Sequence, residues 1–148
     1  MKRRVLLVDG HSIIFAWPEL RSLHARKGML ARDTLVSTLR GLQDSSEWHV
    51  VVVFDGRGIK TSDASEPAGV QVFYSRDGQT ADSVIERIAA TYASRYEITV
   101  ATEDQLERTT VATLGGSSMG AEQLRNEINT SAADLAATLK ALSRRSKT

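Results

Sequence analysis

The sequence predicts a single α/β domain with a mainly parallel sheet of four to five strands flanked by helices. Short runs of Val, Ile and Leu bounded by Gly or Asp are typical of strands that are buried on both faces. These runs alternate with longer segments of helical period, as in sheets whose strands are joined by covering helices. The 148 residues are 41% hydrophobic and 25% charged, and a chain of this size buries roughly 68 to 70% of its unfolded surface. We therefore expect one core.

Four apolar runs predict the strands, at residues 4–8, 49–54, 70–74 and 97–102. The first run follows three basic residues, as the apolar part of a signal peptide would, but it is interrupted by Asp9 after only four apolar residues. We interpret it as the first strand. Since no apolar stretch approaches the roughly 20 residues of a membrane span, we expect a cytoplasmic protein.

The helices are predicted between these runs. A helical stretch at residues 18–45 is broken near Lys27-Gly28, and Pro18 suits the first turn of a helix. The clearest helix covers residues 81–94, with Thr80 as its N-cap and apolar residues recurring every four positions. A shorter helix follows Asp104 to about residue 113, and residues 115–118 are predicted to be a turn or loop.

The final segment has apolar residues at positions 124, 128, 132, 135, 139 and 142, which predicts a helix that packs on the sheet. Its polar residues 129–131 are a candidate break, with Ser131 as a new cap. Residues 144–148 are interpreted as a frayed basic tail beyond a domain of residues 1–143. The connection at residues 55–69 has no helical pattern and is expected to be a loop over the functional site.

Composition excludes several classes of site. The chain has no cysteine, so it has neither disulfides nor a thiolate zinc site, and its three histidines are not in zinc-binding spacing. The formal net charge is +1. Any binding of nucleic acid must therefore come from a local basic patch.

Four aspartates carry the candidate chemistry. Asp9, Asp55 and Asp104 stand at or just past the ends of apolar runs, and Asp82 follows the third run by a few residues. In a parallel sheet these positions meet at the edge where α/β proteins bind ligands. Clustered carboxylates need a cation, so we predict a Mg²⁺ or Mn²⁺ site that activates water against a phosphodiester.

Each aspartate also has a structural explanation. Asp9 and Asp55 both precede glycine, as in ordinary turns, Asp82 suits the dipole of a first helical turn, and Asp104 suits a helix cap. Other phosphate chemistries fit less well. A haloacid-dehalogenase-type phosphotransferase needs a second Asp where this chain has His11, and neither a P-loop nor a GxGxxG motif opening a helix is present.

A series of short motifs extends over nearly the whole chain. In order they are VDGHSII from Val8, AWPEL from Ala16, FDG from Phe54, TADSVIE from Thr80, ATEDQLE from Ala101, GG at Gly115 and SMGAEQL from Ser118. In order and spacing the series resembles the YacP-like NYN domains, relatives of PIN-domain nucleases. The resemblance implies a three-layer PIN-like fold and a metal-dependent endoribonuclease associated with ribosomes and mRNA decay.

The chain departs from the family pattern at two motifs. Where the family commonly has Asp-Gly-Tyr-Asn, this chain has His11 and Ser12 after Asp9-Gly10, and the later Thr-Ser-Asp is Thr102-Glu103-Asp104. Serine reaches less far than asparagine and lacks its amide. We expect the hydroxyls of Ser12 and Thr102 to orient water around the metal. Glu103 is either an extra ligand or, as we expect, directed to solvent.

Basic and aromatic residues near the aspartates are candidates for RNA binding. Arg57 and Lys60 follow Asp55, and Arg76 precedes Asp82, so all three are predicted to bind phosphates. Trp17 is predicted to stack on a base, although packing at a helix start also explains it. An alternative basic path comprises Arg21, Arg26 and Lys27.

Three functions remain open from sequence. The first is a metal-dependent endoribonuclease that cuts RNA, with mRNA on or near the ribosome as the expected partner. The second is an RNA- or ribosome-binding module on the same fold that has lost cleavage, which the replacements at His11 and Ser12 keep open. The third is a metal-dependent phosphatase for small substrates.

Overall fold

The structure is a computed structural model that describes residues 2–56, 69–76 and 78–146. It contains a five-stranded sheet of order β3-β2-β1-β4-β5 in which each neighbouring pair is parallel. The strands are β1 Arg3–Asp9, β2 His49–Phe54, β3 Gln71–Tyr74, β4 Tyr96–Ala101 and β5 Ser117–Met119. The predicted α/β class with a parallel sheet of four to five strands is confirmed, with β1 at the centre.

Six described helices connect and flank the strands. They are α1 Gly10–Ala16, α2 Pro18–Arg26, α3 Gly28–Ser45, α4 Ala81–Tyr92, α5 Gln105–Thr113 and α6 Ala121–Ser146. The break at Lys27-Gly28 and the Thr80 cap are confirmed, since Thr80 Oγ1 accepts from the Ser83 amide at 3.1 Å. The sequence did not predict α1 and β5.

Two cores lie on opposite faces of the sheet. Alternate strand residues point to opposite faces, so Leu6 and Val8 pack against α1, α2, α3 and α6, whereas Val5 and Leu7 pack against α4 and α5. The central strands are therefore covered on both sides, which explains their continuous apolar runs. The result is the three-layer arrangement that the resemblance implied.

Helix α6 corrects several predictions. It continues through residues 129–131 without a break, and its first turns pack against α3 and belong to the same apolar core as the strand residues Leu6 and Val8. Leu124 is buried there, whereas Leu135, Leu139 and Leu142 are 41 to 56% exposed. The predicted tail is helical as far as Ser146. The division into a domain of residues 1–143 and a tail stays a prediction.

The predicted loop over the site coincides with residues that the structure does not describe. Residues 57–68, including Arg57 and Lys60, lie outside the described ranges. None of the described helices is both long enough and apolar enough to cross a membrane.

Candidate functional site

Three carboxylates converge at the carboxyl edge of the sheet. Asp9 ends β1, Asp82 lies in the first turn of α4, and Glu107 lies in the first turn of α5. One oxygen from each lies within 4.8 Å of the other two. Asp9 and Glu107 are 6% and 2% exposed, and Asp82 is half-buried. We call this set the three-carboxylate group.

Glu107 was missed by the sequence prediction. It stands five residues after Thr102, in the first turn of the helix that follows β4, where an acidic residue is already favoured by the helix dipole. The available signal was the ATEDQLE motif, which places Glu107 three positions beyond Asp104 at the same edge of the sheet.

Crowding changes the protonation of the group. Burial, and then contact with the Asp9 and Asp82 carboxylates, raises the pKa of Glu107 to about 10. Burial also raises the pKa of Asp9. Glu107 Oε1 is buried without a hydrogen-bond partner in the described structure. Without a cation, Glu107 is therefore protonated at neutral pH, because three adjacent charges are unfavourable.

The hydroxyl of Thr102 connects the group. Its oxygen lies 3.2 Å from Asp9 Oδ2, 3.0 Å from Glu107 Oε2 and 3.3 Å from Ser12 Oγ, and it accepts from the Asp104 amide at 3.2 Å. Because a hydroxyl has one proton, Thr102 donates to one of these oxygens at a time. Thr102 therefore orients the buried carboxylates.

Ser12 and Glu103 form a second contact beside the group. Ser12 Oγ accepts from the Glu103 amide at 2.8 Å. The Glu103 side chain is exposed, and its Oε1 accepts from the Ala121 amide at the start of α6 at 3.4 Å. The Glu103 side chain is therefore directed to solvent, as expected, and it also lies beside the N-terminus of α6. That Ser12 and Thr102 orient water around a metal stays a prediction.

Asp104 and Asp55 are outside the three-carboxylate group. Asp104 is exposed and caps α5, because its Oδ1 accepts from the amides of Leu106 at 2.9 Å and Glu107 at 3.4 Å. Asp55 is half-buried, and its Oδ1 accepts from the Ser75 hydroxyl at 3.4 Å. The metal roles predicted for these two aspartates stay predictions.

The glycines after Asp9 and Asp55 are required by close packing. A Cβ on Gly10 would lie 2.3 Å from the Phe54 ring, and one on Gly56 would lie 2.1 Å from the Ser75 carbonyl oxygen. Gly10 begins α1 directly. The turn explanation for Asp9 is therefore wrong, and its carboxylate stands where a central strand meets a helix.

The three-carboxylate group borders a cleft of about 600 Å³. The cleft is lined by Asp9, His11, Ser12, Phe15, His24, Arg32, Asp55, Thr80, Ala81 and Asp82. Asp55 thus faces the same space as Asp9 and Asp82. The aromatic and basic residues of this lining, which we call the wall of the cleft, are Phe15, His24 and Arg32 together with His11, and their place beside the carboxylates was not predicted from sequence.

His11 also lines this cleft. Burial, and then the charges of Arg32 and His24, lowers its pKa. Its Nδ1 is 3.3 Å from the Asp55 amide and its Nε2 is 3.3 Å from Arg32 Nη2. Because a neutral imidazole carries one N–H, the ring can accept from only one of these two donors, depending on its tautomer.

Among the predicted RNA-binding residues, Trp17 does not have the predicted role of stacking on a base. It is 5% exposed, its indole N–H donates to the Ala121 carbonyl at 3.1 Å, and the Arg125 guanidinium lies 4.4 Å from its ring. Its ring therefore packs α1 and α2 against α6 and offers no face to a base. Arg76 is exposed just after β3, and Arg57 and Lys60 lie outside the described residues.

The chain is similar to known proteins in sequence and in fold. A family model described as YacP-like NYN domain matches residues 6–148. The uncharacterized protein YacP of Bacillus subtilis (strain 168) is 33% identical over 128 residues, which is 85% of this chain and 75% of that protein. A crystal structure of Rae1 (YacP) from Bacillus subtilis is similar with a TM-score of 0.79 at 29% identity, over 97% of this chain and 83% of that one. A crystal structure of a mutant of Rae1 (YacP) from Bacillus subtilis is similar with a TM-score of 0.78 at 29% identity, over 94% of this chain and 82% of that one.

Proposed function

Because the chain belongs to the YacP-like NYN domain family, a PIN-like nuclease family, we propose that it is a metal-dependent endoribonuclease. The observation that carries the proposal is the three-carboxylate group, two of whose members, Asp9 and Asp82, line a cleft. We propose mRNA on or near the ribosome as the substrate and the cytoplasm as the location, which the family resemblance supports.

The donor set fits a hard divalent cation. Mg²⁺ and Mn²⁺ prefer oxygen ligands, and Asp9, Asp82 and Glu107 supply only carboxylate oxygens. The buried Oε1 of Glu107, which has no hydrogen-bond partner among the described residues, is an oxygen that a cation would satisfy. These three residues would hold the ion, which when bound supplies an activated water and neutralises charge on the phosphodiester. Asp55, which lines the same cleft, is proposed as an additional ligand.

The surrounding residues position these carboxylates. Thr102 lies within hydrogen-bond distance of Asp9 and Glu107, and Asp104 fixes the first turn of α5, from which Glu107 projects. Asp82, the most exposed of the three carboxylates, faces the cleft where a substrate would enter.

A binding module without cleavage is the second candidate. It is favoured by Ser12, whose hydroxyl is already occupied by the Glu103 amide at 2.8 Å, where the family commonly has asparagine. If asparagine contributes to metal binding in the family, this chain has lost that contribution. Exposed Arg76, together with Arg57 and Lys60, is proposed to bind phosphates in either case.

The two candidates are separated by a cleavage assay. The purified protein is incubated with labelled single-stranded RNA and with ribosome-bound mRNA, in Mn²⁺, in Mg²⁺ and in chelator. Cuts that require the metal and disappear in Asp82→Asn support the nuclease. Asp134→Asn, an exposed aspartate on α6, is the matched control and should cleave normally. Binding without cuts in all metals would support the binding module.

A further inference from the structure

We propose that Arg32 and Phe15 form a nucleotide subsite beside the carboxylates, in which Arg32 binds a phosphate of single-stranded RNA and Phe15 stacks on the neighbouring base. The inference rests on the proposed function, because it assigns the substrate contacts of the same cleft. Both side chains line the cleft that contains Asp9 and Asp82.

Arg32 is a half-buried cation whose partners are weak. Its Nη1 lies 3.4 Å from the Met29 sulfur and its Nη2 lies 3.3 Å from His11 Nε2, and its Nε is buried without a partner. The guanidinium lies 5.7 and 5.9 Å from the rings of Phe54 and Tyr74. Within the described ranges it forms no ion pair with a carboxylate.

An arginine in this environment is suited to an anion. Guanidinium stays charged at all working pH values and matches phosphate with two parallel donors. Charged side chains away from water are normally paired, yet the neighbours of Arg32 among the described residues are a sulfur atom, an imidazole and aromatic rings. The missing partner is therefore negatively charged, and the cleft on which Arg32 opens is the proposed RNA site.

Phe15 is an exposed ring held in place by two others. It is 48% exposed, and its ring centroid lies 4.9 Å from that of His24 and 6.2 Å from that of His11. The two imidazoles support it from within the wall of the cleft. A supported aromatic ring with an open face is the platform on which single-stranded bases stack. Phe15 thus has the accessibility that the buried Trp17 lacks.

The contacts of Arg32 and Phe15 would distinguish single-stranded from double-stranded RNA but would not read the base sequence. Phosphates carry no sequence information, and every base has a face that can stack. In a duplex the bases are already stacked on one another, so Phe15 is available only to an unpaired strand. We therefore expect the cleft to prefer single-stranded RNA over a hairpin stem of the same length.

The experiment measures binding without cleavage. In an Asp82→Asn background, anisotropy of a short labelled single-stranded RNA is titrated at several salt concentrations. Phe15→Leu should weaken binding at least about fivefold, the effect of losing one base stack, whereas Phe15→Trp retains it. Phe73→Leu is the matched control, because Phe73 is also exposed, at 43%, but lines a different cavity.

Arg32 is tested by the salt dependence. Arg32→Gln should flatten the slope of log K against log salt by about 0.7, the value of one phosphate contact on a single strand. Arg32→Lys keeps the charge and should keep the slope. This variant can also be measured if Arg32→Gln does not fold. Arg95→Gln removes the same charge from an exposed position before β4, at the opposite edge of the sheet, and should leave the slope unchanged.

The outcomes distinguish this inference from the proposed function. If wild type cleaves RNA but Phe15→Leu and Arg32→Gln bind no worse than their controls, the subsite is overturned and the nuclease stands. If wild type does not cleave, but binding depends on these two residues, the nuclease fails and the subsite stands. If the Asp82→Asn protein and wild type bind no single-stranded RNA, both are overturned.

Discussion

The three-carboxylate group lies at the same edge of the sheet as Asp55 and Asp104, which we call the outer aspartates. The carboxylates of the two sets differ in their hydrogen-bond partners. Asp104 accepts two backbone amides and Asp55 accepts a hydroxyl, whereas no N–H or O–H donor of the described residues reaches the buried Oε1 of Glu107. A strand-end carboxylate is therefore a metal-ligand candidate when its neighbours are other carboxylates. When its neighbours are N–H donors, the same residue type stabilises the protein without a cation.

The largest effect on RNA cleavage should come from substitution of Asp9. Asp9→Asn should lower RNA cleavage by more than about 100-fold, because the loss of a ligand exceeds the 10- to 100-fold typical of groups that only orient ligands. Without metal its melting temperature should be unchanged or higher, because one crowded charge has been removed. A clear loss of melting temperature in metal-free buffer would make Asp9 a structural residue. Asp134→Asn serves as the control.

Asp104 should show the opposite behaviour. Asp104→Ala removes the cap of α5, which should cost about 0.5 to 2 kcal/mol in the free energy of unfolding. Cleavage should fall only in part, because Glu107 is held less well in the first turn of the helix. Chemical unfolding in metal-free buffer measures the first effect. Unchanged stability together with complete loss of cleavage would favour the predicted role of Asp104 as a ligand.

The pH dependence of stability sharpens the same contrast. The pKa of Glu107 is raised to about 10 in the folded protein from an ordinary value of 4.5, so above pH 4.5 the folded state retains a proton that the unfolded chain loses. The contribution of Glu107 to stability is therefore greatest at low pH and is lost as the pH rises from 4.5 towards 10. Glu107→Gln should flatten this dependence in metal-free buffer. An identical pH profile for the variant and the wild type would show that Glu107 does not hold the proton.

The smallest effect is expected at Ser12. Ser12→Asn restores the residue common in the family, and its longer side chain should tighten Mn²⁺ binding a few-fold if serine is a weakened substitute. Because Ser12 already accepts the Glu103 amide, the asparagine carbonyl oxygen, which has two lone pairs, can keep that contact and also face the metal site. Unchanged activity and metal affinity would show that this position does not contact the metal site.

The parts of the fold and site that could be predicted are those with a local signal. The strands before Asp9 and Asp55 are dense apolar runs, and the helix that carries Asp82 has both a cap and a clear period. The strand β5 is the three residues Ser-Ser-Met, which form a strand only by pairing with β4. No local pattern indicates such a strand.

The missed site residues depend on packing between distant segments. An acidic residue in a first helical turn is favoured by the dipole alone, so nothing in the neighbourhood of Glu107 distinguishes burial against Asp9 from exposure. Trp17 and Phe15 are two positions apart on the chain. Which of the two is exposed is decided by α6, whose Ala121 carbonyl accepts the Trp17 indole N–H.

The most direct test of the three-carboxylate group is calorimetric titration of Mn²⁺ into wild type, Glu107→Gln and Asp104→Asn at neutral pH. The structure predicts one Mn²⁺ site in wild type, with release of the Glu107 proton on binding. Glu107→Gln should lose this site, while Asp104→Asn retains it. Retention of the site in Glu107→Gln together with its loss in Asp104→Asn would contradict the assignment. It would show that Asp104, and not Glu107, is a metal ligand.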